Sequence, residues 1–183
     1  MRVTGGKYIR RKILCPAGEI RPAMDRMRES MFAVLGSLDS MSFLDLFSGS
    51  GIVGIEAASR GADNVVFVEK DYRKKKTLLR NVSVIEEKSE VFIESVEKFI
   101  KTSGRSFDYI FLDPPFRMEG KLSILEKLVD HGVVREGSVV VIHVPKREYL
   151  PLIIRDDLLV FDIRRYGGSR LYFYHLSGRQ SFT

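Results

Sequence analysis

Apolar residues recur every three or four positions between residues 27 and 38, which is the spacing of one face of a helix. They are Met27, Met31, Val34, Leu35 and Leu38. Asp25 precedes them and belongs to the residue types that cap the first turn of a helix. The pattern predicts a helix that begins at Asp25 and ends between Gly36 and Asp39.

After this helix, short apolar runs typical of buried strands alternate with helical stretches. The predicted strands are 42–47, 64–69, 91–93, 109–112 and 138–143. The predicted helices between them are 51–60, 71–85, 96–101 and 121–130. Because parallel strands need crossover connections, the alternation predicts an α/β fold, a parallel sheet with helices on both faces.

The last part of the chain has a different pattern. Two apolar segments, 158–165 and 170–175, flank Tyr166-Gly167-Gly168-Ser169, which is typical of a hairpin turn. These segments add two antiparallel strands at one edge. The sequence therefore predicts a mostly parallel sheet of seven strands with an antiparallel C-terminal edge hairpin.

The start of the chain is basic. Residues 1–24 contain one acid, Glu19, and several glycines and prolines that prevent a long helix. The cations of this segment are Arg2, Lys7, Arg10, Arg11, Lys12 and Arg21. We predict a basic N-terminal arm or hairpin over 1–24, a main domain over 25–176 and a polar tail over 177–183.

Composition excludes several classes of protein. With 44% hydrophobic and 30% charged residues, the chain is not disordered, collagen-like or stapled by disulfides. The net charge of +6 favours a polyanionic partner. The single cysteine, Cys15, is typical of a reducing compartment. Without a signal peptide or an apolar run of about 20 residues, we expect a cytoplasmic protein that does not enter membranes.

A glycine-rich turn follows the first predicted strand, in the segment Asp45-Leu46-Phe47-Ser48-Gly49-Ser50-Gly51-Ile52-Val53-Gly54. The three glycines match G-x-G-x-x-G, and Glu69 ends the next predicted strand, 20 residues after Gly49. In such motifs glycines let the backbone approach a nucleoside, and the carboxylate accepts hydrogen bonds from ribose hydroxyls. The motif alone fits both a nicotinamide dinucleotide and S-adenosylmethionine.

Two features favour S-adenosylmethionine. The positively charged methionine part of this molecule favours a nearby carboxylate, which Asp45 supplies, whereas a pyrophosphate is drawn to a helix N-terminus. The second feature is Asp113-Pro114-Pro115-Phe116, directly after the strand predicted at 109–112. This rigid turn presents a carboxylate, a carbonyl and an aromatic ring at the carboxyl edge of the sheet, where ligands of such folds bind.

These groups suit the methylation of an exocyclic amino group of a base. The nitrogen lone pair is delocalised into the ring, so hydrogen bonds from its N–H groups to Asp113 and the Pro114 carbonyl would orient it towards a methyl donor. Phe116 would stack on the base after it leaves its helix. The chemistry alone fits RNA and DNA equally.

The motifs DLFSGSGIVGIEAASRGA, VEKD and DPPF, together with RVTGGKYIRRKI and RPAMDRMRESMF, resemble the bacterial 16S ribosomal RNA guanine-N2 methyltransferases of the RsmD type. This family has the Rossmann-like methyltransferase fold, and the resemblance extends from Arg2 to about His175. Two departures are Ala23-Met24, where the family usually has threonines, and Ser95-Val96, where it commonly has Asp or Asn followed by Ala at the adenine.

The resemblance implies a cofactor site and a reaction site. The predicted S-adenosylmethionine ligands are Asp45, Phe47, Gly49, Ser50, Gly51, Gly54, Glu69, Lys70, Ser95 and Asp113. The predicted reaction site is Asp113, Pro114, Pro115 and Phe116. No metal is expected, and a structural role is favoured for His143 over a place beside the pocket.

The resemblance also implies that the arm and the segment 21–28 contact RNA. The predicted RNA-binding residues are Arg2, Lys7, Arg10, Arg11, Lys12, Arg21, Arg26 and Arg28. For Arg26 and Arg28 a solvated helix face is an equal alternative. For the basic run 73–76 a solvated face is favoured.

We therefore expect an enzyme that methylates the exocyclic N2 of a guanine in 16S ribosomal RNA. Its partner would be ribosomal RNA or a small-subunit assembly intermediate, and the protein would act as a monomer. Three alternatives remain at this point. They are a DNA methyltransferase for adenine N6 or cytosine N4, a nucleic-acid-binding protein without activity, and a nicotinamide-dependent oxidoreductase.

Overall fold

The computed structural model describes residues 1–15 and 23–178 of the 183-residue chain. The chain divides into two compact units, Met1–Val96 and Glu97–Thr183. Within the described ranges, no helix has the length and apolar character needed to cross a membrane.

The first unit contains three parallel strands in the order β3-β2-β1. Its elements are α1 (Ala23–Leu35), β1 (Ser42–Leu46), α2 (Ile52–Ser59), β2 (Asn64–Val68), a 3-10 turn (Tyr72–Lys74), α3 (Lys75–Val82) and β3 (Lys88–Phe92). Leu46 is in register with Val68, and Val68 with Phe92. The three strands therefore end at one level, where the glycine-rich turn and Glu69 follow.

Helix α2 is buried along its whole length, including its one charged residue, Glu56. Its close approach to β2 depends on glycine. A Cβ atom on Gly54 would lie 2.4 Å from the Phe67 ring, and one on Gly51 would lie 2.7 Å from Leu78. These two glycines thus let the helix, the strand and α3 pack at short range.

Residues 1–13 form a hairpin that packs on the first unit. Val3 donates its N–H to the carbonyl of Arg11, and Arg10 donates to the carbonyl of Val3. The hairpin buries Val3, Tyr8 and Ile13 in the core. Residues 1–13 of the predicted arm or hairpin thus form a packed hairpin, and residues 16–22 lie outside the described part.

The second unit has the strand order β4-β5-β8-β7-β6. Its elements are β4 (Phe107–Leu112), α5 (Lys121–Asp130), β5 (Val134–Pro145), β6 (Ile153–Ile154), β7 (Leu158–Tyr166) and β8 (Ser169–Leu176), with α4 (Val96–Thr102) at the boundary. Strands β4 and β5 are parallel, whereas β5–β8, β8–β7 and β7–β6 are antiparallel.

The predicted mixed sheet with a C-terminal edge hairpin is confirmed. The described residues form eight strands instead of seven, because the two-residue β6 pairs with the start of β7. Strand β3 begins at Lys88, before the predicted start at residue 91. The reason is its pairing with β2, in which Lys88 lies opposite Asn64, the first residue of β2. The helix predicted over 71–85 begins as a 3-10 turn, which Asp71 caps by accepting the N–H of Arg73.

Candidate active site

The glycine-rich turn between β1 and α2 is held by backbone conformation and by one serine. Phe47 and Gly49 have φ angles of 62° and 56°, in the left-handed region. The Ser48 hydroxyl accepts the N–H of Val68 at 2.9 Å and donates to the carbonyl of Asp45 at 2.6 Å. The turn is therefore fixed to the ends of β1 and β2.

Asp45 is buried at the end of β1, with 1% of its surface exposed. Its Oδ2 accepts the N–H of Gly54 at 3.0 Å, inside the first turn of α2. The carboxylate thus satisfies a helix N–H that has no intrahelical partner. It places negative charge beside the glycine-rich turn, as the sequence predicts.

Glu69 follows β2 and faces the same turn. Its Oε2 accepts the N–H of Gly49 at 2.9 Å, and its Oε1 accepts the N–H of Asp71 at 2.8 Å. Lys74 Nζ lies 3.6 Å from Oε2. The carboxylate predicted to bind ribose hydroxyls therefore lies directly against the first glycine of the motif.

The residues of this turn fit a nucleoside cofactor. A Cβ added at Gly49 would meet only the Phe47 carbonyl, 3.9 Å away, so the backbone is open on that side. Asp45 and Glu69 carry the carboxylates that a cationic amino acid and a ribose would use. Gly51 and Gly54 have a different reason to be glycine, because side chains there would collide with Leu78 and Phe67.

The other predicted cofactor ligands lie near the ends of the same strands. Ser50 is buried, and its carbonyl accepts the Asn81 amide at 2.9 Å. Lys70 is exposed directly after Glu69. Ser95 is half-buried between β3 and α4. Contacts of these residues with a cofactor stay a prediction.

The second unit brings Asp113 and His143 together. Leu112, the last residue of β4, is in register with Ile142 of β5, so the residues that follow these two in the chain, Asp113 and His143, are neighbours. His143 Nδ1 lies 2.8 Å from Asp113 Oδ1. Because an ionised carboxylate only accepts, the ring nitrogen donates. His143 Nε2 is buried and has no hydrogen-bond partner within the described residues.

His143 also contacts Phe116. The two rings meet edge to face, with centroids 5.1 Å apart and planes at 69°. One buried histidine therefore fixes the carboxylate and the aromatic ring of the predicted reaction site. Sequence reasoning favoured a structural role for His143, and no local signal joined it to Asp113, because the register of β4 and β5 brings the two residues together.

A buried lysine, Lys121, holds the loop between β4 and α5. Lys121 Nζ donates to the carbonyls of Phe116 at 3.1 Å and Met118 at 2.6 Å, and it pairs with Glu148 Oε2 at 2.8 Å. Only 2% of the Lys121 side chain is exposed. Sequence reasoning missed this residue. Its one signal was a cation in the first turn of a helix, where the helix dipole disfavours positive charge.

Arg28 is a correction to the predicted RNA-binding set. Its guanidinium is buried in the first unit, pairs with the buried Glu56 and donates to the carbonyl of Arg2. Glu56 also binds Arg60 at 2.8 Å and accepts the hydroxyl of Thr4. A side chain committed to a buried carboxylate does not reach an RNA phosphate.

The other predicted RNA-binding residues differ in their surroundings. Lys7 pairs with Glu86 at 3.0 Å and Glu87 at 3.1 Å, which raises the pKa of Lys7 above its ordinary value. Arg11 donates to the carbonyl of Val84. The remaining described side chains of the set are exposed, namely Arg2, Arg10, Lys12 and Arg26. Arg21 lies outside the described residues.

Comparison with solved structures gives the class of protein. A putative methyltransferase, yhhF from Escherichia coli, superposes with a TM-score of 0.89 at 26% identity, covering 98% of this chain and 99% of that chain. The chain thus has the fold of an α/β methyltransferase.

The chain belongs to the family described as Conserved hypothetical protein 95, whose model matches residues 1–175. The putative rRNA methyltransferase YlbH of Bacillus subtilis is 34% identical over 164 residues, 85% of this chain and 89% of that protein. Ribosomal RNA small subunit methyltransferase D of Escherichia coli K12 is 29% identical over 159 residues, 84% of this chain and 79% of that protein. The resemblance stated from the sequence is confirmed.

Proposed function

We propose that this protein transfers a methyl group from S-adenosylmethionine to the exocyclic N2 of a guanine in 16S ribosomal RNA. The observation that carries the proposal is the Asp113 carboxylate, which directly follows β4 beside Pro114 and is held by His143 at 2.8 Å. Membership in a family with relatives named as ribosomal RNA methyltransferases supports the RNA substrate.

In this proposal, the first unit holds the cofactor, which supplies a methyl group activated by a sulfonium. Glu69 would accept hydrogen bonds from the ribose hydroxyls and exchange its bond to Gly49 for them. The open backbone at Gly49 would lie against the nucleoside, and Asp45 would balance the positive charge. Both carboxylates are buried, so the charge they offer is weakly screened by water.

The second unit holds the base. Asp113 Oδ1 is bound to His143, and Oδ2 would accept an N–H of the guanine amine. The Pro114 carbonyl would accept the other N–H, so the nitrogen lone pair points out of the plane of the base. Phe116 would stack on the base. After transfer, the extra amine proton leaves to Asp113 or to water.

The exposed cations of the hairpin would bind the phosphates of ribosomal RNA or of a small-subunit assembly intermediate. Arg10 and Lys12 suit this role because their side chains are exposed. We propose that the protein acts in the cytoplasm as a monomer and without a metal. Within the described residues, no three side chains of His, Cys, Asp or Glu form a metal-binding group.

The first experiment measures methyl transfer from labelled S-adenosylmethionine to unmethylated 16S ribosomal RNA, partly assembled small subunits and DNA. Digestion to nucleosides and mass spectrometry identify the product. We expect N2-methylguanosine from a ribosomal substrate, and loss of the label with Asp113→Ala. Calorimetric binding of S-adenosylhomocysteine to the variant separates loss of chemistry from loss of the cofactor.

Label in N6-methyladenine or N4-methylcytosine from DNA would overturn the substrate and keep the mechanism. RNA binding without transfer to any substrate would favour the non-catalytic alternative.

The role of the hairpin is tested with Arg10→Gln and Lys12→Gln, which remove charge and keep side-chain length. We expect weaker RNA binding, and a negative slope of log K against log salt that becomes shallower by about 0.7 to 0.9 for each phosphate that the variant no longer neutralises. Affinity for the cofactor should stay the same. An unchanged slope would contradict this role.

A further inference from the structure

The second unit presents a group of exposed cations beside the predicted reaction site. Arg117 follows Phe116 in the loop after β4, and Lys146 and Arg147 lie in the loop after β5. All three side chains are exposed. Because β4 and β5 are parallel, both loops lie at the carboxyl edge of these strands. We call Arg117, Lys146, Arg147 and Tyr149 the platform surface.

The two loops of the platform surface are tied together by a buried ion pair. Lys121 donates to the carbonyls of Phe116 and Met118, and it also binds Glu148, which precedes Tyr149. The pair neutralises Glu148, so the remaining acids of the two loops are Asp113, at the reaction site, and Glu119. The loop after β5 is therefore fixed beside the residues that would hold the base, and its exposed charge is positive.

Tyr149 is exposed and yet held in place. Its exposed fraction is 77%, and the guanidinium of Arg170 lies 4.5 Å from the centre of its ring. Arg170 is itself buried, and it donates to the Lys146 carbonyl and to Tyr172 Oη. A cation anchored in the core thus positions an aromatic ring at the surface. Unlike a mobile surface tyrosine, this ring loses little conformational freedom when a planar group stacks on it.

An ordered aromatic ring on a loop that also carries exposed cations is a combination that binds unpaired nucleotides, because bases stack on the ring and phosphates pair with the cations. A protein partner fits less well, because the exposed cations of the two loops favour a polyanion. The same loops carry the site for the target base. A nucleotide bound here would be a neighbour of that base in the RNA strand.

We propose that the platform surface binds ribosomal RNA next to the target guanine. Tyr149 stacks on a flanking base, and Arg117, Lys146 and Arg147 contact its phosphates. This inference rests on the proposed function and adds a second RNA-binding region to the N-terminal hairpin.

The test measures binding of unmethylated 16S ribosomal RNA at several salt concentrations, with S-adenosylhomocysteine present. We expect Tyr149→Ala to weaken binding by about 5- to 150-fold, the range for one base stacked on an aromatic ring. The salt slope should stay the same, because no charge is removed. Tyr149→Phe keeps the ring and should bind like the wild type.

The charged residues of the platform surface should change the salt slope, which Tyr149→Ala leaves unchanged. Lys146→Gln with Arg147→Gln should make the negative slope of log K against log salt shallower by about 0.7 to 0.9 for each phosphate that is no longer neutralised. The matched control is Lys101→Gln with Arg105→Gln, which removes the same charge from the last turn of α4 and from the loop that leads into β4, at the other end of that strand. This control should leave the slope unchanged. If the two double variants changed the salt slope equally, the platform cations would act only through the overall charge of the protein, and the proposal would be overturned.

The outcomes distinguish the platform from the enzyme activity. If the wild type methylates the RNA and every platform variant binds it normally, the platform proposal fails and the proposed function stands. If the wild type binds RNA without methylating it, and Tyr149→Ala weakens that binding, the activity fails and the platform stands. If the wild type neither binds nor methylates the RNA, both fail.

Discussion

At the scale of single residues, glycines in one motif have different purposes. Gly49 is open on the side where a side chain would be, whereas a Cβ at Gly54 would lie 2.4 Å from the Phe67 ring. Gly54→Ala should therefore overpack the buried interface between α2 and β2 and lower the free energy of unfolding by about 1 to 3 kcal/mol. Urea denaturation measures this change.

The matched variant removes the collision. Gly54→Ala combined with Phe67→Leu should be more stable than the sum of the two single changes predicts, because the smaller side chain makes room for the new methyl group. Additive changes in the unfolding free energy would show that the ring is not the obstacle.

His143 gives a second prediction at this scale. The variant His143→Ala removes the N–H that holds Asp113 and the ring edge that contacts Phe116. We expect kcat to fall on the order of 100-fold, the effect of misplacing a reacting group by about 1 Å, with little change in cofactor affinity. His143→Asn keeps a donor near the position of Nδ1 and should recover part of kcat. A wild-type kcat in His143→Ala would exclude a positioning role.

At the scale of elements, one buried carboxylate joins three segments. Glu56 of α2 binds Arg28 of α1, Arg60 after α2 and Thr4 of the hairpin. Removing one partner leaves buried charge without compensation, which costs about 3 to 5 kcal/mol. We expect Glu56→Ala to lower the free energy of unfolding by this amount in chemical denaturation.

An exposed ion pair serves as the comparison for Glu56. Arg73 pairs with Asp71 at 2.8 Å, but 91% of the Arg73 side chain is exposed. Arg73→Ala should change stability by less than about 1 kcal/mol. Similar losses for the two variants would mean that the buried network is not a main source of stability.

The contact between the hairpin and the segment before β3 depends on pH. Partial burial would raise the pKa of Glu87, but hydrogen bonds from Tyr8 Oη at 2.7 Å and from Lys7 Nζ at 3.1 Å outweigh it and lower that pKa below its ordinary value. A lowered folded-state pKa stabilises the fold above the unfolded-state pKa, about 4.3 for Glu. This contribution disappears as pH falls through the folded-state pKa.

Unfolding free energies between neutral and acid pH test this contact. Glu87→Gln should flatten the loss of stability on acidification. Glu86→Gln is the neighbouring control, because the Glu86 side chain is 77% exposed. A pH profile of Glu87→Gln that follows the wild type would contradict the contribution of Glu87.

Most elements could be predicted from the sequence because their signals are local. The glycine-rich turn and the Asp-Pro-Pro-Phe turn each lie within about ten residues of chain, and the C-terminal hairpin is one continuous segment, 158–176. Strand β3 was harder to delimit, because its alternation is weak and its start is set by pairing with β2. The 3-10 turn before α3 depends on the Asp71 cap and not on apolar periodicity.

At the scale of the molecule, what escaped prediction depends on contacts between distant residues. Arg28 is in a basic segment, and only its distant partner Glu56 makes it a core residue. The contact of His143 with Asp113 joins residues 30 positions apart, and that of Lys121 with Glu148 joins residues 27 apart. Such pairs follow from strand register and loop packing, which a single sequence does not specify.

Ligand binding by the whole protein gives a further prediction. A ligand at 100 times its Kd stabilises the folded state by about 2.7 kcal/mol. S-adenosylhomocysteine at this concentration should raise the midpoint of thermal unfolding, whereas NADH should not. A rise with NADH alone would favour the oxidoreductase alternative.

The packed hairpin has a consequence for synthesis of the chain. Its partners are far along the sequence, because Thr4 binds Glu56 and Lys7 binds residues 86 and 87. At about 5 to 20 residues per second, the ribosome needs roughly 4 to 15 s to extend the chain from the hairpin to residue 87. During that interval the nascent hairpin carries exposed apolar side chains and unpaired cations. The hairpin is thus among the last segments of its unit to fold.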